Sequence, residues 1–100
     1  MDGFEDFEWD DEKRRRNVKK HAIDFEEATE VFYGPYLLQR SDRKQEQRWM
    51  ATGESEGRAL TVVFTRREGK IRIISARRAR KNEERAYRNA QVGRAPERKD

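Results

Sequence analysis

The chain has 100 residues, 33% hydrophobic and 44% charged, with 24 Lys and Arg against 20 Asp and Glu and a formal net charge of +4. That length fits one small domain with a modest core, and the positive balance fits a polyanionic or acidic partner. Cysteine is absent, which excludes disulfides and thiolate metal sites and agrees with a reducing cytoplasm. No apolar run is long enough to span a membrane, and the acidic start lacks the basic and apolar regions of a signal peptide.

Charge is unevenly distributed. The first twelve residues hold seven carboxylates and no Lys or Arg, and 13–20, KRRRNVKK, then hold six positive charges. Residues 4–9 alternate weakly and suit a short edge strand. Asp10 is a good N-cap, with Asp11 and Glu12 favourable in the first turn of a helix over 11–20. Val18 is its expected apolar anchor. Asp24 and Glu27 have capping-box spacing, and Ile23 with Ala28 can form the accompanying hydrophobic staple. Phe25, Ala28, Val31 and Phe32 recur at helical spacing, and Gly34-Pro35 ends this second helix.

Strand-like runs follow over 36–40, 46–52, 59–65 and 70–76, joined by SDRKQ, GESEG and RREG. These lengths suit an antiparallel meander. Alternation puts Leu60, Val62 and Phe64 on one face and Thr61, Val63 and Thr65 on the other. In the last strand Ile71 and Ile73 share a face, opposite Arg72, Ile74 and Ala76. A final helix is expected over 77–91, with Ala79, Ala86, Tyr87 and Ala90 as a thin apolar stripe. The expected class is α+β: two N-terminal helices, a twisted antiparallel sheet of about four strands plus a short N-terminal edge strand, and a C-terminal helix. One domain is expected over 1–92, with 93–100, GRAPERKD, as a disordered tail.

The stretch KIRIISARRARKNEERAYR at 70–88 carries the strongest chemical signal. A strand that delivers guanidinium groups at its end holds them rigidly, and planar forks match phosphate oxygens. The plainer reading is a solvated basic helix beside an edge strand. His21 is the only histidine, so it alone has an unperturbed pKa near neutrality and suits general acid or base work. Its plainer role is to cap the carbonyls at a helix C-terminus. One His and no Cys cannot build a standard zinc site, so no metal or cofactor is expected. No phosphate-binding glycine loop occurs.

Three blocks stand in order: FEWDDEKRRRNVKKHAIDFEEATEVF at 7–32, RW at 48–49 and LTVVFTRREGKIRIISARRARKNEERAY at 60–87. Together they resemble the BrnT family of type II toxin–antitoxin toxins, over about residues 4–90. The resemblance implies a RelE-like fold, a metal-independent endoribonuclease that inhibits translation, and a BrnA-type ribbon-helix-helix antitoxin as partner. A 2:2 heterotetramer would then bind operator DNA through the antitoxin. Ala22 departs from the Gly the family commonly has after the K-H pair; if the position needs φ > 0, Ala costs about 1 kcal/mol there.

RNA cleavage needs an activated 2′-hydroxyl, charge stabilisation at phosphorus and a proton for the leaving 5′-oxygen, and cations can supply the electrostatic part. Arg48 and Arg72 on expected strands and Arg77 at the start of the last helix are the leading phosphate-stabilising residues. Their plainer role is ion pairing with Glu46, Glu83 or Glu84. His21 is the candidate acid or base, and Tyr87 the candidate proton donor or stacking residue, although its place on the apolar stripe favours packing. Glu46 shares parity with Arg48, so it can pair with it or act as a carboxylate base. Lys19, Lys20, Arg78, Arg80 and Lys81 are candidate RNA contacts. Trp49 is expected in the core, and Trp9 fits either role. The alternative function is a non-enzymatic basic module that serves only as partner and corepressor of a DNA-binding antitoxin.

Overall fold

The computed structural model describes residues 6–99, with side chains described through residue 90. Five strands form one mixed sheet: β1 (Phe7–Trp9), β2 (Tyr36–Arg40), β3 (Trp49–Ser55), β4 (Arg58–Arg67) and β5 (Lys70–Arg78). Their spatial order is β1-β5-β4-β3-β2. The helices are α1 (Asp11–His21), α2 (Phe25–Ala28) and α3 (Lys81–Lys99), with a 3-10 turn over Thr29–Tyr33. The domain end expected at 92 and the tail expected over 93–100 fall outside the residues whose side chains are described. No helix among the described residues is long and apolar enough to cross a membrane.

The N-terminal caps act as read, although the second helix is α-helical only through Ala28 and continues to Tyr33 as the 3-10 turn. Asp10 Oδ1 accepts from the Glu12 and Lys13 amides at 2.8 and 3.1 Å. Both halves of the Asp24–Glu27 capping box form, and Ile23, Phe25, Ala28 and Val31 are fully buried. Ala22 does sit in the left-handed region, at φ 60°, where its N–H closes α1 on the Val18 carbonyl at 2.8 Å. Val18, by contrast, is 43% exposed, and the buried residue of α1 is Asn17.

The sheet differs from a pure meander in three ways. First, β1 pairs parallel to β5, Phe7 with Ile71 and Trp9 with Ile73, so the edge strand makes the sheet mixed. Second, the expected connectors GESEG and RREG shrink to two residues each. Glu56-Gly57 and Glu68-Gly69 have positive φ at both positions, the type I′ geometry whose twist matches the flanking strands. β3 and β4 therefore run longer at this end. At its other end β3 starts later than expected, because 41–48 fold back on themselves: Arg43 and Glu46 exchange backbone bonds, and Asp42 Oδ1 accepts from the Arg48 amide at 3.2 Å.

Third, β5 runs on to Arg78 and slips register, with Val63 opposite Ser75 but Phe64 opposite Ile73. Ile74 is the extra residue of a β-bulge. Parity changes there. Ala76 joins Ile71 and Ile73 in the core instead of facing away from them, and Arg77 comes to share the opposite face with Arg72. Arg77 thus belongs to a strand, paired with Thr61, and α3 starts only at Lys81.

The first face of the sheet, including Leu60, Val62, Phe64 and Ala51, packs against α2 and the 3-10 turn. Gly53 lies at that contact; a Cβ on it would meet Val31 Cγ1 at 3.0 Å and the Pro35 carbonyl oxygen at 3.1 Å. On the second face, α3 covers one end. Glu83, only 7% exposed, accepts from both arms of Arg77 at 2.8 Å, from Thr61 Oγ1 at 3.0 Å and from the Arg80 amide at 2.8 Å. The last of these is the return half of a capping box. The Arg77 guanidinium holds the Glu83 carboxyl at about 2, against an opposing push from burial.

Three stability outcomes follow from this geometry. Gly53→Ala should lose about 1–3 kcal/mol by overpacking, whereas Glu56→Asn and Glu68→Asn, which suit left-handed turn positions, should each gain a few tenths to about 1 kcal/mol; urea denaturation measures both, and a gain for Gly53→Ala would refute the close approach. Glu83 has a depressed folded pKa, so its stabilisation is complete above 4.5 and is lost as pH falls from there toward 2. Glu83→Gln should lose on the order of 2–3 kcal/mol at pH 7, and the difference from the parent should shrink across that acid window. A difference independent of pH would contradict the pairing.

Candidate functional site

β1 pairs with β5 only as far as Ile73. Past that point Asn17 of α1 takes the place of a strand. Its Oδ1 accepts from the Ala76 amide at 3.1 Å, and its Nδ2 donates to the Ala76 carbonyl at 2.8 Å. The same Nδ2 donates to the Ile23 carbonyl at 2.9 Å. One carboxamide therefore satisfies three buried backbone groups and fastens α1, the turn after it and the end of β5 together.

Residues near Asn17 on the helix surface follow from 3.6 residues per turn. Lys13 is four before it, Arg16 one before, and Lys20 and His21 three and four after. Facing them are Ser75 and Arg77 on β5, and Arg80 just before α3. Between the two walls lies a groove of about 580 Å³, lined by these side chains with Asn17 and Ile74. Among the described residues its lining includes five permanent cations and one imidazole, and no carboxylate.

Two features give the groove chemical definition. Arg77 is 18% exposed at its side chain and held bidentate by Glu83, so its guanidinium is oriented by the fold. His21 is half-buried at the C-terminus of α1, and its pKa is lowered from 6.5, first by burial and then by the charges of Lys20 and Arg77. Both influences favour the neutral imidazole, the form able to accept a proton.

The other sequence-predicted residues are distributed around this groove. Arg72 shares the sheet face with Arg77 and donates to Glu8 Oε2 at 3.2 Å. Arg48 sits just before β3, outside any strand, and its Nε donates to Glu46 Oε1 at 2.8 Å. Extending the register lines up Arg48, Thr65, Arg72 and Glu8 across the second face. Neither arginine lines the groove. Tyr87 is 4% exposed and belongs to a separate cavity with Tyr33, Glu54 and Arg88; burial, then Glu54, raises its phenol pKa. Of the candidate RNA contacts, Lys20 and Arg80 line the groove. Lys19 lies on the other flank of α1, beside Arg14 and Asp24, and Arg78 and Lys81 are exposed outside both. Trp49 packs on Phe64 with ring centroids 6.0 Å apart, and Trp9 packs edge-on to Phe25 at 5.9 Å.

Among the lining residues, sequence reasoning missed Ile74 and Ser75 on β5 and, on α1, Lys13, Arg16 and Asn17. The signal for those on α1 is present in KRRRNVKKH: positions 13, 16, 17, 20 and 21 recur at helical spacing. Asn is also a poor residue for a helix interior, which marks it for a hydrogen-bonding role.

A family model described as the ribonuclease toxin BrnT of type II toxin–antitoxin systems matches residues 9–83. The crystal structure of the Brucella abortus ribonuclease toxin BrnT superposes with a TM-score of 0.61 at 30% identity, covering 78% of this chain and 100% of that one. No curated protein matches the chain. With a match over three quarters of its length and the same α+β architecture, the chain belongs to the BrnT family of ribonuclease toxins of type II toxin–antitoxin systems.

Proposed function

We propose that this protein is a metal-independent endoribonuclease toxin that cleaves RNA in the groove between α1 and β5. The observation that carries the reading is that Arg77, Lys20, Arg80 and His21 line one groove, with no carboxylate among its described lining residues. His21 takes the proton of the 2′-hydroxyl. The 2′-oxygen then attacks phosphorus, the 5′-oxygen leaves, and a 2′,3′-cyclic phosphate results; the proton goes to the leaving oxygen from the imidazolium or from water. Arg77, pre-oriented by Glu83, stabilises the charge added at phosphorus, with Lys20 and Arg80 beside it. Arg72 and Arg48 contact the RNA farther along the same sheet face. Tyr87, buried away from the groove, takes no part.

The partner in this reading is a BrnA-type ribbon-helix-helix antitoxin. An acidic or amphipathic segment laid on the groove would block phosphate access and neutralise the cations together. Dimerisation through the antitoxin gives a 2:2 assembly that represses its own operator. The second reading, a non-enzymatic corepressor subunit, draws on one observation: Arg48, Arg72 and Arg77 each already hold a carboxylate, Glu46, Glu8 and Glu83.

Purified protein should cleave RNA in EDTA and spare a substrate with a 2′-deoxy sugar at the scissile position; a requirement for added divalent metal would contradict the mechanism. Arg77→Ala should lose about 100–1,000-fold in kcat, and His21→Ala about 100–10,000-fold. Because the His21 pKa is depressed, the acid limb of kcat/KM should have its midpoint below pH 6.5, with activity falling as pH drops through it. Expression without growth arrest, together with no cleavage by the purified protein, would favour the second reading. Co-expression with an adjacent ribbon-helix-helix gene product should give a 2:2 complex by light scattering, and a toxin that never co-purifies with it would refute the partner.

A further inference from the structure

We infer that the Lys13–Arg16–Lys20 face of α1 extends the groove into a track for the phosphodiester backbone of single-stranded RNA beyond the scissile phosphate. This rests on the ribonuclease reading and adds binding residues to the same site.

The three cations stand at i, i+3 and i+7, on one face of the helix, and span about 10.5 Å along its axis. All three line the groove. Asn17, between them in sequence, is fixed to the backbone of β5, so this face is held against the sheet. Lys20 has no carboxylate partner among the described residues, Lys13 has only a through-space attraction to the N-cap Asp10 and no ion pair, and Arg16 has only a 3.8 Å approach to Glu12. Arg14, by contrast, is held on the opposite flank by Asp24 through two 3.0 Å bonds.

Helix physics does not account for this arrangement. Like charges at i, i+3 and i+4 destabilise a helix by about 0.2–0.5 kcal/mol per pair. The macrodipole favours cations at Lys20 in the last turn but opposes one at Lys13 in the first turn. Solubility would be served as well by interleaved signs, yet no acidic residue falls between Glu12 and Asp24. A polyanion lying along the face removes the repulsion, and a charged groove that tracks a backbone is how single strands are held without sequence preference.

The test measures binding of a short single-stranded 2′-O-methyl RNA, which cannot undergo 2′-oxygen attack, across a salt series, and separately kcat and KM on cleavable RNA. Each phosphate contact on a single strand contributes about 0.7 to the slope of log affinity against log salt. Lys13→Ala and Arg16→Ala should each reduce that slope by about 0.7, and the double variant by about 1.4, with KM raised and kcat held. Arg15→Ala, one residue away and lining the other flank of α1 but not the groove, should leave the slope and KM as they are. An unchanged slope in the double variant, or a reduction no larger than that of Arg15→Ala, overturns the inference. A loss of kcat at unchanged KM does so too. If the slopes shift as stated but the parent cleaves no RNA, the track stands and the ribonuclease reading fails.

Discussion

The side chain of Asn17 is the contact on which the site depends. A sheet edge past Ile73 leaves Ala76 with a donor and an acceptor pointing away from β4, and a helix cannot pair with them through its own backbone. Asn17 resolves this by presenting an amide group in the manner of a neighbouring strand, while its second N–H holds the turn after α1. Buried backbone groups left unpaired would each cost about 1–3 kcal/mol. The bonds therefore fix the rotation of α1 about its axis as well as its distance from β5. That rotation decides which cations border the groove: Lys13, Arg16 and Lys20 line it, while Arg15 and Lys19 line only the other flank, which Arg16 also reaches.

The bulge at Ile74 makes the complementary adjustment on the strand. Arg72 and Arg77 have opposite parity in sequence, and only the extra residue brings both to the second face. Glu83 then holds Arg77 by two bonds while closing the first turn of α3 with a third. A buried pair of this kind is weak evidence for net stability, because desolvation offsets attraction. Its value here is orientation. A clamped guanidinium keeps its direction whether or not a phosphate is present, and its charge helps keep the nearby imidazole neutral.

Much of the fold was legible because local signals and burial agreed. Asp10, the Asp24–Glu27 box and Gly34-Pro35 marked helix limits that the structure keeps, and the alternation of Leu60, Val62 and Phe64 named the core face of β4. What was not legible was tertiary. Nothing local distinguishes a two-residue Glu-Gly turn from the middle of a longer polar loop when Glu must adopt φ > 0. A bulge is a property of two strands, so alternation within β5 alone put Ala76 on the wrong face and Arg77 in the wrong element. The parallel pairing of β1 with β5 joins residues more than sixty positions apart. For the site, composition and the resemblance pointed to Arg77, His21, Lys20 and Arg80, but apolar periodicity drew attention to Val18 and away from Asn17. A polar residue can be the anchor of a helix when what it meets is a strand edge.

The proton chemistry of His21 is thus tied to a hydrogen bond made by a different residue one helical turn earlier. Loosening α1 from β5 would relieve the burial of the imidazole and its proximity to Arg77, leaving Lys20 as the local influence. The direct measurement is an NMR titration of the His21 ring protons in the parent and in folded Asn17→Ala. The midpoint should lie below 6.5 in the parent and move up toward that value in the variant. Identical midpoints in two folded proteins would contradict the claim that Asn17 assembles the groove.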